Sequence, residues 1–142
     1  MVDAKVRSFK LALCQLKAVS DKAKNLQSAK TMVTEAANKG AQVIVLPEMF
    51  TTPFTKEHML KNAEPVKMKD FNKDPRCEAS KILSDLAKKT STYIIGGSIP
   101  ESIEGSNKIY NTCLCFDRKG NITAMHRKQH LFDVNIPGGI VF

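Results

Sequence analysis

Residues 43–54 read VIVLPEMFTTPF, and this stretch decides the fold that we predict for the chain. Residues 43–46 are apolar and rich in β-branched side chains, a pattern typical of a short strand buried on both faces of a parallel sheet. Pro47 cannot continue a central ladder, so the strand ends there and Glu48 follows at once. Open α/β sheets place their ligand sites at this carboxyl edge, which makes Glu48 a candidate functional residue. An ordinary solvated residue at a strand exit is the alternative interpretation.

A strand and a helix precede this stretch and complete a βαβ unit. Residues 9–16 (FKLALCQL) alternate apolar and polar side chains before they turn apolar, which indicates a strand. Ser20 or Asp21 can cap the helix that follows, and Gly40 is a natural place for that helix to end. We expect the crossover between the two parallel strands to be right-handed. One face of the helix is apolar and consists of Leu26, Ala29, Val33, Ala36 and Ala37.

The chain after the βαβ unit predicts two helices and three strands. Residues 49–74 are irregular apart from a short helix at 56–62, and long loops after the carboxyl end of a strand often shape a binding site. Asp74-Pro75 opens a second long helix, because proline is favoured at the first helical position. The strands are predicted at 92–95, 109–116 and 122–126, and the last two form a hairpin.

Length and composition fit a single globular domain. The chain has 142 residues, of which 42% are hydrophobic and 25% charged, and residues 1–7 form a loose amino-terminal segment. No apolar run approaches the length that spans a membrane. Residues 1–10 lack the apolar core of a secretory signal. We therefore expect a cytoplasmic protein with no membrane partner.

The net charge of +8 raises nucleic-acid binding as a hypothesis. The lysines, however, are spread among acidic residues, with no block of five like charges. There is no tryptophan, and the aromatic residues do not interleave with the basic ones as single-strand binders require. We read most lysines as solvated and expect no nucleic-acid partner.

The four cysteines, at positions 14, 77, 113 and 115, do not form a metal-binding or disulfide pattern. No pair has CxxC spacing, and few histidines are near, so a zinc site is not predicted. Cys113 and Cys115 lie two residues apart on a predicted strand and point to the same side. We expect reduced, buried thiols, no metal and no other cofactor.

A second charged landmark is the segment RKQHLFD at residues 127–133. Lys128 comes just after the second strand of the predicted hairpin. From the residues alone, Lys128 is a candidate site residue or one more surface lysine. His130, beside Leu131 and Phe132, fits a packing histidine better than a ligand or a base.

Taken together, five segments resemble the nitrilase superfamily of carbon–nitrogen hydrolases, in order and spacing, from residue 9 to residue 142. They are LALCQL, GAQVIVLPEMF, YIIGGSIPE, YNTCLCFDRKGNI and HRKQHLFDVNIPGGIVF. The last segment is closest to the ω-amidase branch, whose members hydrolyse the side-chain amide of short α-keto diacid monoamides. The resemblance implies an α/β fold, the α-β-β-α sandwich of that family, with residues 1–142 forming the amino-terminal portion, about half, of one domain.

The family's chemistry uses a glutamate, a lysine and a cysteine, and the resemblance assigns the first two to Glu48 and Lys128. Glu48 would be the general base that takes the thiol proton and passes it on to ammonia. Lys128 would stabilise the oxyanion of the tetrahedral intermediate. The implied reaction is hydrolysis of a side-chain amide of a small carboxylic acid, such as α-ketoglutaramate.

The sequence departs from the family pattern at two places. Phe54 stands where ω-amidase relatives usually have tyrosine, and as a substrate-pocket residue it would alter which polar group is recognised. The family's nucleophilic cysteine, in a G-x-C-Y-D type segment, is expected beyond Phe142, so we expect no nucleophile among the four cysteines and no activity from these residues alone. The alternative is a truncated, non-catalytic interaction module that pairs with a full-length relative. The resemblance also implies a homo-oligomer.

Overall fold

The structure is a computed structural model, and it describes residues 8–132. The segments expected at 1–7 and at the end of the family resemblance, 133–142, lie outside the described residues. The strands are β1 (Leu11–Leu13), β2 (Val43–Val45), β3 (Tyr93–Ile95), β4 (Ile99–Ser102), β5 (Ile109–Phe116) and β6 (Ile122–Arg127). The helices are α1 (Lys22–Asn38), α2 (Lys56–Asn62) and α3 (Glu78–Thr90), with a 3-10 turn at Phe71–Lys73.

The predicted βαβ unit is confirmed. Strands β1, β2 and β3 are parallel neighbours, with Val43 opposite both Leu11 and Tyr93. Asp21 caps α1 by accepting a hydrogen bond from the backbone of Lys24, and Gly40 follows the helix with φ +84°. The first strand is shorter than the eight residues predicted, because ladder pairing is confined to Leu11–Leu13.

The predicted hairpin forms the other half of the sheet. Strands β5 and β6 are antiparallel. The carboxyl-terminal end of β5 pairs with β3 through Ile95 and Cys115. Strand β4, which was not predicted from the sequence, pairs with the amino-terminal half of β5. It contains Pro100, which has no N–H for a ladder but whose carbonyl accepts from the backbone of Glu64.

The start of α3 corrects the sequence analysis. The helix begins at Glu78, three residues after Pro75, the predicted first helical residue. Asp74 instead binds Arg76 and Lys67. The first turn of α3 is capped from outside the helix, because the buried carboxylate of Glu64 accepts from the backbone of Ala79 and Ser80.

Helices α1 and α3 cover one face of the sheet, and the core lies between these two helices and the sheet. That core includes Val33, Leu83, Ile44, Ile94, Leu114 and Phe116. The opposite face is open, since Leu13 is 75% exposed, Tyr93 46% and Ile95 37%. The prediction that β2 is buried on both faces is therefore only half right, as Ile44 is buried while Val43 and Val45 are half-buried. Within residues 8–132, no helix is both long enough and apolar enough to cross a bilayer.

Candidate active site

Glu48 and Lys128 lie side by side, although 80 positions separate them in the chain. The ammonium of Lys128 donates a hydrogen bond to Oε1 of Glu48 at 2.9 Å. Glu48 comes from the exit of β2, and Lys128 directly follows β6, where its backbone N–H donates to the carbonyl of Asn111 at 2.8 Å. The sheet therefore joins the two candidate residues that the sequence analysis named.

Asn111 is a third member of the site, and the sequence analysis did not single it out. Its amide Nδ2 donates to the same Oε1 of Glu48, at 2.6 Å. Within residues 8–132, Oε2 of Glu48 accepts no hydrogen bond. The carboxylate is thus held by two donors on one oxygen, and its other oxygen is open to a proton donor.

The two donors also set the charge of Glu48. The hydrogen bond from Lys128 is the largest influence and lowers the pKa of the carboxyl below its usual range, and Asn111 adds to this effect. Partial burial acts in the opposite direction and is outweighed. The side chain of Glu48 is 50% exposed, so burial has only a limited effect on its pKa. The carboxylate is therefore ionised near neutral pH.

The backbone that carries Glu48 is held by the Gly97-Ser98 segment after β3. A Cβ at Gly97 would collide with the carbonyl oxygen of Pro47, and its φ of +58° favours glycine independently. The hydroxyl of Ser98 accepts from the backbone N–H of Met49 at 3.0 Å. Met49 itself has φ +50°, an uncommon value for a side chain of its size. Gly97 therefore allows the backbone after β3 to approach Pro47 closely.

Asn111 and Lys128 both line two cavities at this site. An open one, of about 330 Å³, is lined by Glu48, Gly97, Ser98, Asn111, Cys113, His126 and Lys128. A smaller one, of about 130 Å³, adjoins Asn111 and Lys128 and is mainly apolar. Its apolar wall consists of Met49, Phe54, Met59, Ile109, Leu131 and Phe132. The structure therefore places Phe54 beside the site, in a pocket that suits an apolar part of a ligand.

Cys113 is the one cysteine among those described that lines the cavity of Glu48. Burial, with a smaller contribution from Cys115, raises the pKa of its thiol to about 11. Burial also raises the pKa values of Cys14 and Cys77. A thiol attacks as the thiolate, so these environments disfavour a nucleophilic role. The absence of a nucleophile among the four cysteines stays a prediction.

The charges at the site suit proton transfer and anion stabilisation. An ionised carboxylate with one open oxygen can accept a proton, and an ammonium beside it can stabilise a developing oxyanion. Across residues 8–132, no three His, Cys, Asp or Glu side chains are grouped so as to hold a metal ion. His130 is exposed and does not line either cavity.

Two known hydrolases are similar to this chain in sequence. A hydrolase of Schizosaccharomyces pombe is 45% identical over 142 residues, which is all of this chain and 41% of that protein. The omega-amidase NIT2 of Homo sapiens is 42% identical over 135 residues, 95% of this chain and 45% of that protein. The chain spans less than half the length of these relatives.

Solved structures show the same fold. Nit3 of Saccharomyces cerevisiae, a member of branch 10 of the nitrilase superfamily, superposes with a TM-score of 0.77 at 34% identity, over 86% of this chain and 44% of that one. The predicted nitrilase-type fold class is confirmed, with the chain matching part of the neighbouring structures. The family model for carbon–nitrogen hydrolases matches residues 10–142, so the chain belongs to the carbon–nitrogen hydrolase family.

Proposed function

We propose that residues 1–142 are the amino-terminal portion of an amidase that cleaves the side-chain amide C–N bond of a small carboxylic acid. Omega-amidases of several organisms are among the relatives, at 41–43% identity. The observation that carries the proposal is the contact of Lys128 with Oε1 of Glu48, while Oε2 accepts no hydrogen bond from residues 8–132. The substrate class is that of α-keto acid monoamides such as α-ketoglutaramate.

The proposed reaction uses both charges in turn. Oε2 of Glu48 takes the proton of a cysteine thiol while the sulfur attacks the amide carbonyl. Lys128 stabilises the resulting oxyanion. The C–N bond then breaks, the proton passes from Glu48 to the leaving ammonia, and water hydrolyses the thioester with Glu48 as base. We assign the thiol to a cysteine outside residues 1–142, because none of the four cysteines of this chain stands at the nucleophile's position in the family resemblance, and burial raises the pKa of the Cys113 thiol that lines the site.

The apolar pocket beside Lys128 is the proposed place for the carbon chain of the substrate. Phe54 lines it without a hydroxyl group, so recognition of the distal polar end falls to other groups. We expect Phe54→Tyr to change KM for α-ketoglutaramate more than kcat, because it adds a polar group away from the reacting atoms. The cytoplasmic location and a homo-oligomeric state stay predictions.

The test is ammonia release from α-ketoglutaramate by the complete protein that contains these residues. We expect turnover, a loss of about 10²–10⁴-fold in kcat for Glu48→Gln, and none from the 142-residue chain alone. Lys128→Met removes the ammonium that is proposed to stabilise the oxyanion. Its matched control is Lys22→Met, which removes a lysine that pairs with Glu64 on the helix side of the sheet. Turnover that survives Glu48→Gln would refute the general-base assignment. A complete protein inert toward this amide but active on another would refute the substrate class.

The open sheet face favours a second candidate function, an interaction module that pairs with a full-length relative. Leu11, Leu13, Tyr93 and Ile95 make this face apolar and exposed. Such a face associates readily with an apolar surface. Size-exclusion chromatography of the chain with a full-length relative distinguishes the two candidates: co-elution that Leu13→Asp abolishes supports pairing, and separate elution excludes it.

A further inference from the structure

Glu101 is a carboxylate almost fully enclosed by protein, at 1% exposure. It lies on β4 and accepts three side-chain hydrogen bonds from two residues. The hydroxyl of Thr112 donates at 2.6 Å, and the guanidinium of Arg127 donates through Nε at 2.8 Å and Nη2 at 2.7 Å. A buried charge is costly unless it is paired and hydrogen-bonded, and here the two-pronged contact with Arg127 supplies both.

The partners of Glu101 are next to the residues that hold Glu48. Thr112 of β5 and Arg127 of β6 are opposite each other in the ladder. Their chain neighbours are Asn111 and Lys128. Side chains alternate between the faces of a strand, so Asn111 points away from the Thr112 side and toward Glu48. On one face of the sheet, Thr112 and Arg127 therefore contact Glu101. On the other face, their neighbours Asn111 and Lys128 contact Glu48.

The ladder between β5 and β6 ends at these positions. The pairing of β5 with β6 ends at Thr112 and Arg127, and only the backbone bond from Lys128 to Asn111 extends it. Strand β6 lies at the edge of the described sheet and has exposed side chains from Thr123 to Arg127. The ring of Tyr110 adds a contact 4.6 Å from the guanidinium of Arg127, on the same face as Glu101. Glu101 thus ties the end of an edge strand across β5 to β4.

We propose that Glu101 is a positioning residue: it holds Thr112 of β5 and Arg127 at the end of β6 so that Asn111 and Lys128 both donate to Oε1 of Glu48. Glu101 acts through the sheet and does not touch the substrate. The catalytic meaning of this role rests on the proposed function, whereas the geometric claim is independent of it. If the contacts of Glu101 with Thr112 and Arg127 are removed, Lys128 is no longer held in place, and the carboxyl of Glu48 loses a hydrogen-bond donor.

The experiment measures the pKa of Glu48 by carbon-13 NMR of the carboxyl in the 142-residue chain. We expect Glu101→Gln to raise this pKa by at least half of the rise that Lys128→Met produces. Thr112→Val removes one hydrogen bond and keeps the ion pair, so we expect a smaller rise in the same direction. Because the readout needs no turnover, failure of the amidase proposal does not affect it.

Glu64→Gln is the matched control. Glu64 is 2% exposed and also accepts several hydrogen bonds, from the backbone of α3 and from Lys22, but not from β5 or β6. We expect Glu64→Gln to destabilise the fold and to leave the pKa of Glu48 low. Equal rises for the Glu64 and Glu101 variants would show a general structural effect and overturn the proposal. An unchanged pKa in Glu101→Gln would also overturn it, and if that variant does not fold, the result for Thr112→Val decides.

Discussion

The pair formed by Glu48 and Lys128 should contribute little to stability, and this can be measured by a double-mutant cycle. The changes are Glu48→Gln and Lys128→Met, singly and together, in the 142-residue chain. The side chains are 50% and 35% exposed, so solvent screens their attraction, and exposed pairs of this kind contribute about 0.2–1 kcal/mol. We expect a coupling free energy in that range at pH 7, from urea unfolding monitored by circular dichroism.

The pH dependence of this coupling has a defined sign. The pKa of Glu48 is lower in the folded chain than its usual value of 4.5, so the unfolded state binds more protons between the two values. The stabilisation is fully present above the unfolded pKa and is lost as the pH falls through the folded pKa. The coupling should therefore vanish in acid well below pH 4.5. A zero coupling at pH 7 would contradict the expected contribution, and a coupling that persists when Glu48 is protonated would contradict its electrostatic origin.

Three further predictions concern single residues at the site. Asn111→Leu should raise the pKa of Glu48, seen by carbon-13 NMR, because a donor to Oε1 is lost; an unchanged pKa would contradict this. Gly97→Ala should lower the free energy of unfolding by more than about 1 kcal/mol in urea denaturation, since its Cβ collides with the carbonyl of Pro47 at a positive φ; a neutral effect would argue against that packing. Alkylation of Cys113 by iodoacetamide, followed by mass spectrometry, should accelerate up to an inflection near pH 11, and an inflection near neutrality would reopen a nucleophilic role.

The elements that the sequence predicts well are those whose signals are local. Helix α2 at Lys56–Asn62 and strand β5 at Ile109–Phe116 have the predicted limits. Helix α1 begins after Asp21, whose own side chain makes the cap. In each case the residues that define the element are within a few positions of it.

The elements that the sequence mispredicts depend on distant residues. Helix α3 is capped by Glu64, 15 positions before Ala79, so the local signal at Asp74-Pro75 pointed to the wrong start. Strand β4 contains a proline, and it exists because β5 pairs with it. The half-exposure of β2 reflects an open sheet face, which no pattern within β2 can reveal.

The site residues also divide into those that local sequence predicts and those that depend on distant contacts. Position alone made Glu48 a candidate, but Lys128 was one surface lysine among many until the family resemblance was considered. Asn111 could have been suspected from strand alternation, because it faces the opposite side from Thr112. Its partner was not predictable, since that depends on how β2 and β5 meet in the sheet.

The open face of the sheet has a consequence for handling the chain. Leu13 and Ile95 lie on either side of Val45 in one cross-strand row of a water-facing apolar surface, and β1 is at the edge of the described sheet. Cellular chaperones and hydrophobic dyes such as ANS recognise surfaces of this kind. Bright dye fluorescence from a natively folded sample would thus report the uncovered sheet rather than a molten state, and yields on expression should improve when Leu13 is made polar.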